Sequence, residues 1–142
     1  VADPAALHAN VQLYTVEFYR AWLATREEEF LQGFEVDIVE PADGDFPDRL
    51  LVILDNGGTQ TSLTTCEHSL GLKVLAGSKR NPTVAENAAR AIYAVRTLLP
   101  SADPSNPIAA ILGGTPPVPI TEEQDRASRY ATVTVSDVAT AL

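Results

Sequence analysis

The chain has one cysteine, Cys66, and no methionine among its 142 residues. A single thiol excludes an internal disulfide and any cysteine-based metal cluster within one chain. Basic residues are scarce: 10 Lys and Arg stand against 19 Asp and Glu, for a net charge of −9. That balance argues against a nucleic-acid binder, which carries a basic face. No apolar run approaches the ~18 residues that cross a bilayer as a helix. The first residues lack the basic start, apolar stretch and small-residue cleavage site of a secretion signal, so the chain is expected to be cytoplasmic at synthesis. No internal repeat is visible. What is present is ordinary for a folded domain: 45% apolar and 20% charged residues. A chain of this length suits one domain and buries roughly two-thirds of its unfolded surface.

Charge is unevenly placed. Residues 33–69 hold eight acids against Arg49 alone, a net −7. Residues 70–100 hold Lys73, Lys79, Arg80, Arg90 and Arg96 against Glu86, a net +4. Such a split suits a solvated surface, and it also suits a subunit whose acidic side meets a neighbour's basic side.

The pattern predicts an α+β domain over 1–142, with a mixed or antiparallel sheet of four to five strands and two helices, in the order α-β-β-β-α-β-β. A first helix is expected over 4–31. Asp3 would cap it, Pro4 would open it, and Leu7, Val11, Tyr14, Phe18 and Trp22 would form its apolar stripe. Strands are expected near 34–39, 50–54 and 71–76. A second helix is expected over 82–99, capped by Asn81 or Thr83, with Thr83 and Glu86 at capping-box spacing. Its buried face would be Val84, Ala88, Ala91, Ile92, Val95, Leu98 and Leu99. Strands near 108–112 and 129–136 follow, and the tail from Asp137 is weakly specified. Two long segments, 55–69 and 113–128, read as irregular loops. Asn56-Gly57-Gly58 breaks the first, and Pro116, Pro117 and Pro119 exclude regular structure from the second. Loops of that length are usually functional or disordered. They supply candidate contact residues: Asn56, Gly57, Gly58, Thr59, Glu67 and His68 in the first; Gly113, Gly114, Pro116, Pro117, Glu122, Glu123, Asp125 and Arg126 in the second.

Motifs for chemistry fail one by one. Gly71 to Arg80 reads GLKVLAGSKR. A P-loop needs the lysine directly after its last glycine, whereas Ser78 precedes Lys79 here and the glycine spacing is one residue too long. Gly57-Gly58 and Gly113-Gly114 read as turn chemistry. Cys66-Glu67-His68 offers three ligand types in three residues, but a structural zinc site wants four ligands in separated pairs. The only other histidine, His8, lies on the predicted first helix, so a site would need distant carboxylates or another chain. A polar loop is the expectation. Asp43, Asp45 and Asp48 alternate like a calcium loop yet lack its glycine and glutamate register. No GxSxG is present, and nothing marks a carboxylate pair for acid–base work. No enzyme activity, cofactor or metal is expected.

From residue 49 onward the chain resembles the tail-terminator proteins of siphovirus-type actinobacteriophages. The matching pieces are Arg49 to Leu54 with Gly57-Gly58, Leu70 to Ser78, Glu86-Asn87-Ala88-Ala89-Arg90, Gly113-Gly114-Thr115-Pro116-Pro117, and Asp125 to Tyr130. The first 48 residues match in layout only. The resemblance implies a virion protein of the tail and neck, assembled in the host cytoplasm. It implies a homo-oligomeric ring, usually a hexamer, that caps the head-proximal end of the tail tube, ends tube polymerisation and joins the head connector. Genomic DNA would pass through without specific binding, and no membrane is involved. Thr65-Cys66-Glu67-His68 departs from the aspartate-containing stretch of many relatives. A closed ring needs two different complementary patches per subunit. Lys79, Arg80 and Arg90 on one copy are expected to face acids such as Asp43, Asp45 and Asp48 on the next. A head-completion or stopper protein of the same neck is the nearest alternative. A small enzyme or ligand-binding domain is an alternative of another class.

Overall fold

A computed structural model describes residues 6–41, 47–101, 103, 105–122 and 124–141. Asp3, Pro4, Asp43, Asp45 and Glu123 fall outside them. The α+β architecture is as expected: a five-stranded mixed sheet with two helices. Elements in chain order are β1 (Ala6–Leu7), α1 (Val11–Ala24), β2 (Glu35–Asp37), β3 (Arg49–Gln60), β4 (Thr65–Ala76), α2 (Thr83–Ala94), β5 (Ile108–Pro119), β6 (Ala127–Val138) and β7 (Thr140–Ala141). The main sheet runs β2-β3-β4-β6-β5, with β2 parallel to β3 and every other pair antiparallel. The two short terminal strands, β1 and β7, pair with each other.

The first helix is shorter than the apolar stripe suggests. Asn10 caps it, its side chain accepting from the Leu13 amide at 3.0 Å. Leu7 precedes the helix on β1 and is 56% exposed. The face that enters the core is Val11, Thr15, Val16, Tyr19 and Leu23, with Tyr14, Phe18 and Trp22 flanking it. After Thr25 the chain turns through a 3-10 segment, Glu29–Leu31. The second helix continues from Ala94 into a 3-10 turn, Val95–Leu98. The capping box is not made: no side chain caps this helix, and the Glu86 amide donates to Pro82 O instead. Its buried face is Ala85, Ala88, Ala89, Ile92, Val95 and Leu99, while Leu98 is exposed.

Both helices pack on one face of the sheet. Leu51 and Ile53 of β3, Leu70, Leu72 and Val74 of β4, and Ala131, Val133 and Val135 of β6 point into that core. Alternate residues share a face of a strand, so every second position is apolar here. Tyr19 joins the two helices: its hydroxyl donates to Ile92 O at 2.6 Å. Leu50, Val52 and Leu75 form a smaller cluster on the other face. The apolar run 50–54 is therefore central and buried on both sides, as its composition predicts.

The two predicted long loops are largely strand. Between Asp55 and Gly58, β3 advances three residues while β4 advances two, which makes a β-bulge. Gly57 takes φ +86° there, and its amide donates to Asp55 Oδ1 at 2.9 Å. Asn-Gly-Gly is a turn signal by composition, and here it kinks a strand instead of ending it. The hairpin then closes tightly, with Thr61 N donating to Thr65 O at 3.0 Å. Residues 55–64 are all exposed, so this hairpin tip stands off the core as an arm. The second stretch, 113–119, completes β5, against the expectation. It can do so because β5 is an edge strand, where a proline leaves no partner amide wanting. Pro116 and Pro117 sit inside a register shift between Thr115 and Val118. Only 120–126 remains a connection between β5 and β6.

Candidate functional site

The alternation that fills the core runs out in polar residues at one end of the sheet. On β4 the inward series Val74, Leu72, Leu70 continues to His68 and Cys66. On β6 the inward series Ala131, Val133, Val135 continues to Asp137. Cys66 and Asp137 are direct cross-strand partners, and His68 stands opposite Val135. Facing residues of an antiparallel pair bring their side chains together. His8 arrives from the segment between β1 and α1, which the β1–β7 pairing holds over this end. It does not lie on the first helix, contrary to the expectation from sequence, because that helix begins only at Val11.

The four side chains converge. His68 Nδ1 lies 2.9 Å from Asp137 Oδ1 and donates to it. His8 Nδ1 lies 3.5 Å from Asp137 Oδ2, and His8 Nε2 lies 3.8 Å from Cys66 Sγ. Asp137 is fully buried, whereas the two imidazoles keep 27% (His8) and 22% (His68) of their side-chain surface. Asp137 Oδ2 and His8 Nδ1 have no hydrogen-bond partner among the described residues. Ligand atoms of His8, Cys66 and Asp137 all fall within 4.8 Å of one another. Burial pushes the Cys66 thiol up, and the Asp137 carboxylate pushes it further.

This geometry superficially matches a cysteine–histidine–aspartate nucleophile. Two features weigh against that reading. A nucleophilic cysteine is activated by a lowered pKa, and Cys66 is shifted the other way. Cys66 also lies inside a strand paired on both sides, with Gln60 and with Asp137. Its neighbouring amides are committed to ladders and cannot form an oxyanion hole. What the arrangement offers instead is a donor set of nitrogen, sulfur and oxygen converging on one buried carboxylate.

The other sequence-predicted residues do not join this cluster. Asn56, Gly57, Gly58 and Thr59 form the arm, where Asn56 Nδ2 donates to Tyr130 Oη at 2.8 Å. Glu67 faces away from His68, on the opposite side of β4. Gly113, Gly114, Pro116 and Pro117 lie along the exposed outer half of β5. Glu122, Asp125 and Arg126 belong to the β5–β6 connection at the far end of the sheet. There they hold Lys79: its amide donates to Asp125 Oδ1 at 3.1 Å and its ammonium to Glu122 O at 2.5 Å. Arg126 donates to Pro47 O at 2.7 Å and to Asp48 O at 3.2 Å. Lys73 bridges Glu40 and Glu122, at 2.7 Å from the latter. Part of the segregated charge is thus met within the chain. Arg80 and Arg90 are exposed and make no ion pair among the described residues. The glycines of 71–80 build no phosphate cradle. Ser78 and Asn81 pair across a tight turn, and Gly71 leaves room for the Tyr130 ring.

No protein-family model matches the chain, and no curated protein matches it. No helix is long and apolar enough to cross a membrane among the described residues.

Proposed function

We propose that the chain is a non-enzymatic structural subunit of a phage neck, a tail terminator that rings the head-proximal end of the tail tube. Support comes first from the sequence resemblance over 49–136. The observation that carries the reading is the β3–β4 hairpin. Its tip is exposed from 55 to 64, stands off the core, and is polar apart from Leu63. A folded, exposed arm of that kind contributes nothing to its own core, and it suits a contact with another subunit. The exposed basic residues Arg80 and Arg90 and the exposed acids Asp37 and Asp48 give each copy unlike charges to offer a neighbour, as the two unlike patches of a closed ring require. Lys79 is withdrawn from that role, since it is held by the β5–β6 connection. Partners in this reading are further copies of the chain, the tube protein and the head connector, with DNA passing through unread.

Electron microscopy of the chain mixed with purified tail tubes tests the proposal. Rings capping one tube end are expected, and charge reversal at Arg80 and Arg90 should abolish them without changing Tm. Rings on connectors but not on tubes would reassign the chain to head completion. Unchanged capping by the charge-reversed chain would remove the electrostatic part of the proposal.

A further inference from the structure

The geometry points to a divalent transition-metal site, suited to zinc, formed by one ring nitrogen of His8, the Cys66 sulfur and Asp137 Oδ2. Nothing in the ring proposal requires it, and it stands independently. One donor atom from each of the three residues falls within 4.8 Å of the others, so the site must contract around a bound ion. Tetrahedral zinc with bonds of about 2.0–2.3 Å places its ligands roughly 3.3–3.8 Å apart. The 3.5 Å separation is from His8 Nδ1 to Asp137 Oδ2 and the 3.8 Å separation is from His8 Nε2 to Cys66 Sγ, so the ring presents a different nitrogen to each partner. Binding requires the His8 ring to turn so that one nitrogen faces both the sulfur and the oxygen.

Independent support comes from the unpartnered atoms. Asp137 is fully buried, and its Oδ2 makes no hydrogen bond among the described residues; it faces His8 Nδ1 at 3.5 Å, which is likewise without one. Buried carboxylates are paired, fully hydrogen-bonded or bound to a metal. His68 completes only one side, at Oδ1, and so fixes the carboxylate with Oδ2 turned towards His8. That is the role of an outer ligand that orients an inner one. The mixed donor set selects zinc or cobalt over magnesium or calcium, which take oxygen alone. Binding converts the Cys66 thiol to a thiolate and releases its proton to solvent. Three protein donors leave a fourth position for water. The metal would tie the segment before α1 to β4 and β6, three parts of the chain joined at one point.

The full chain, stripped with chelator, is titrated with cobalt(II) and with zinc(II). Cobalt should bind one per chain with a thiolate-to-metal charge-transfer band, and zinc should displace it. Saturating zinc should raise Tm by about 5 °C or more, whereas magnesium should not. Cys66→Ser should abolish the band, and His8→Gln should weaken binding at least tenfold. His68→Gln should weaken it about 10–100-fold while retaining the band, as an orienting group does. Absence of the thiolate band, or equal affinity in the wild type and Cys66→Ser, overturns the proposal. Rapid alkylation of Cys66 at neutral pH that zinc does not slow would overturn it in favour of a nucleophile. Circular dichroism of each stripped variant checks that lost binding is not lost folding.

Discussion

Replacing Gly58 by alanine should detach the arm from the core without unfolding the domain. A Cβ at this position would sit 2.1 Å from Glu67 O, 3.1 Å from the Glu67 carbonyl carbon and 3.2 Å from His68 Cα. These are backbone atoms of the facing strand, so no side-chain rotation relieves the clash. Restoring ordinary contact requires the strands to part by about 1 Å. Hydrogen bonds near 3 Å do not survive that stretch. The pairs affected are Gly58 with His68, Thr59 with Glu67 and Gln60 with Cys66. Loss of about two ladder bonds at ~1 kcal/mol net each gives ~2 kcal/mol, confined to the arm. Tm should then fall by about 5–8 °C. Hydrogen exchange locates the damage. Amides of 58–60 and 65–67 should lose protection, while those of Leu51, Leu72 and Val133 keep it. Tube capping should fail in the same variant if the arm is a contact. Undiminished protection at 58–60 with Tm unchanged would refute the close-approach argument. Collapse of protection at Leu72 and Val133 would show that arm and core melt together.

Tyr19→Phe removes the hydroxyl that joins the helices at 2.6 Å and leaves the ring packing in place. It should cost about 1–1.5 kcal/mol in denaturant unfolding, and an unchanged midpoint would refute the assigned bond. The side-chain hydrogen bond from Arg26 holds the Glu28 carboxyl down to about 2 from its ordinary 4.5. Because the folded value is depressed, the contribution is complete above the ordinary value and is lost as pH falls from 4.5 towards 2. An NMR titration midpoint for Glu28 at the ordinary carboxylate value would refute it, and Arg26→Gln should restore that value.

The class of fold was legible because the apolar periods of both helices and of β3, β4 and β6 agree with one another. Strand lengths were not, for two different reasons. Asn56-Gly57-Gly58 has the composition of a hairpin turn, and only the register of β4 shows that it is a bulge. Pro116 and Pro117 forbid a central strand but not an edge, and edge position is a property of the assembled sheet. The start of α1 was misplaced because Leu7 continues the helical stripe by spacing alone. Asn10 was the better cap, and the pairing of residues 6–7 with 140–141 holds the preceding segment extended.

The cluster was half legible. Cys66, His68 and His8 are visible in the sequence as ligand types, but a loop reading of 55–69 gives Cys66 and His68 no common face. Read as strand, 66 and 68 continue the inward parity of 70, 72 and 74. By the same count Asp137 continues the inward parity of 131, 133 and 135. An acid where the pattern calls for an apolar residue is the signal that sequence alone could have given. Its cost is substantial: a buried carboxylate without full pairing destabilises a fold by several kcal/mol, and an apolar residue of similar size would usually serve the core better. Packing therefore does not explain Asp137, and the hydrogen bond from His68 accounts for only one of its oxygens. The remaining oxygen faces His8 Nδ1 at 3.5 Å without a hydrogen bond, beside Cys66. A bound cation would pair with that oxygen and give the segment before α1 a reason to close over the end of the sheet.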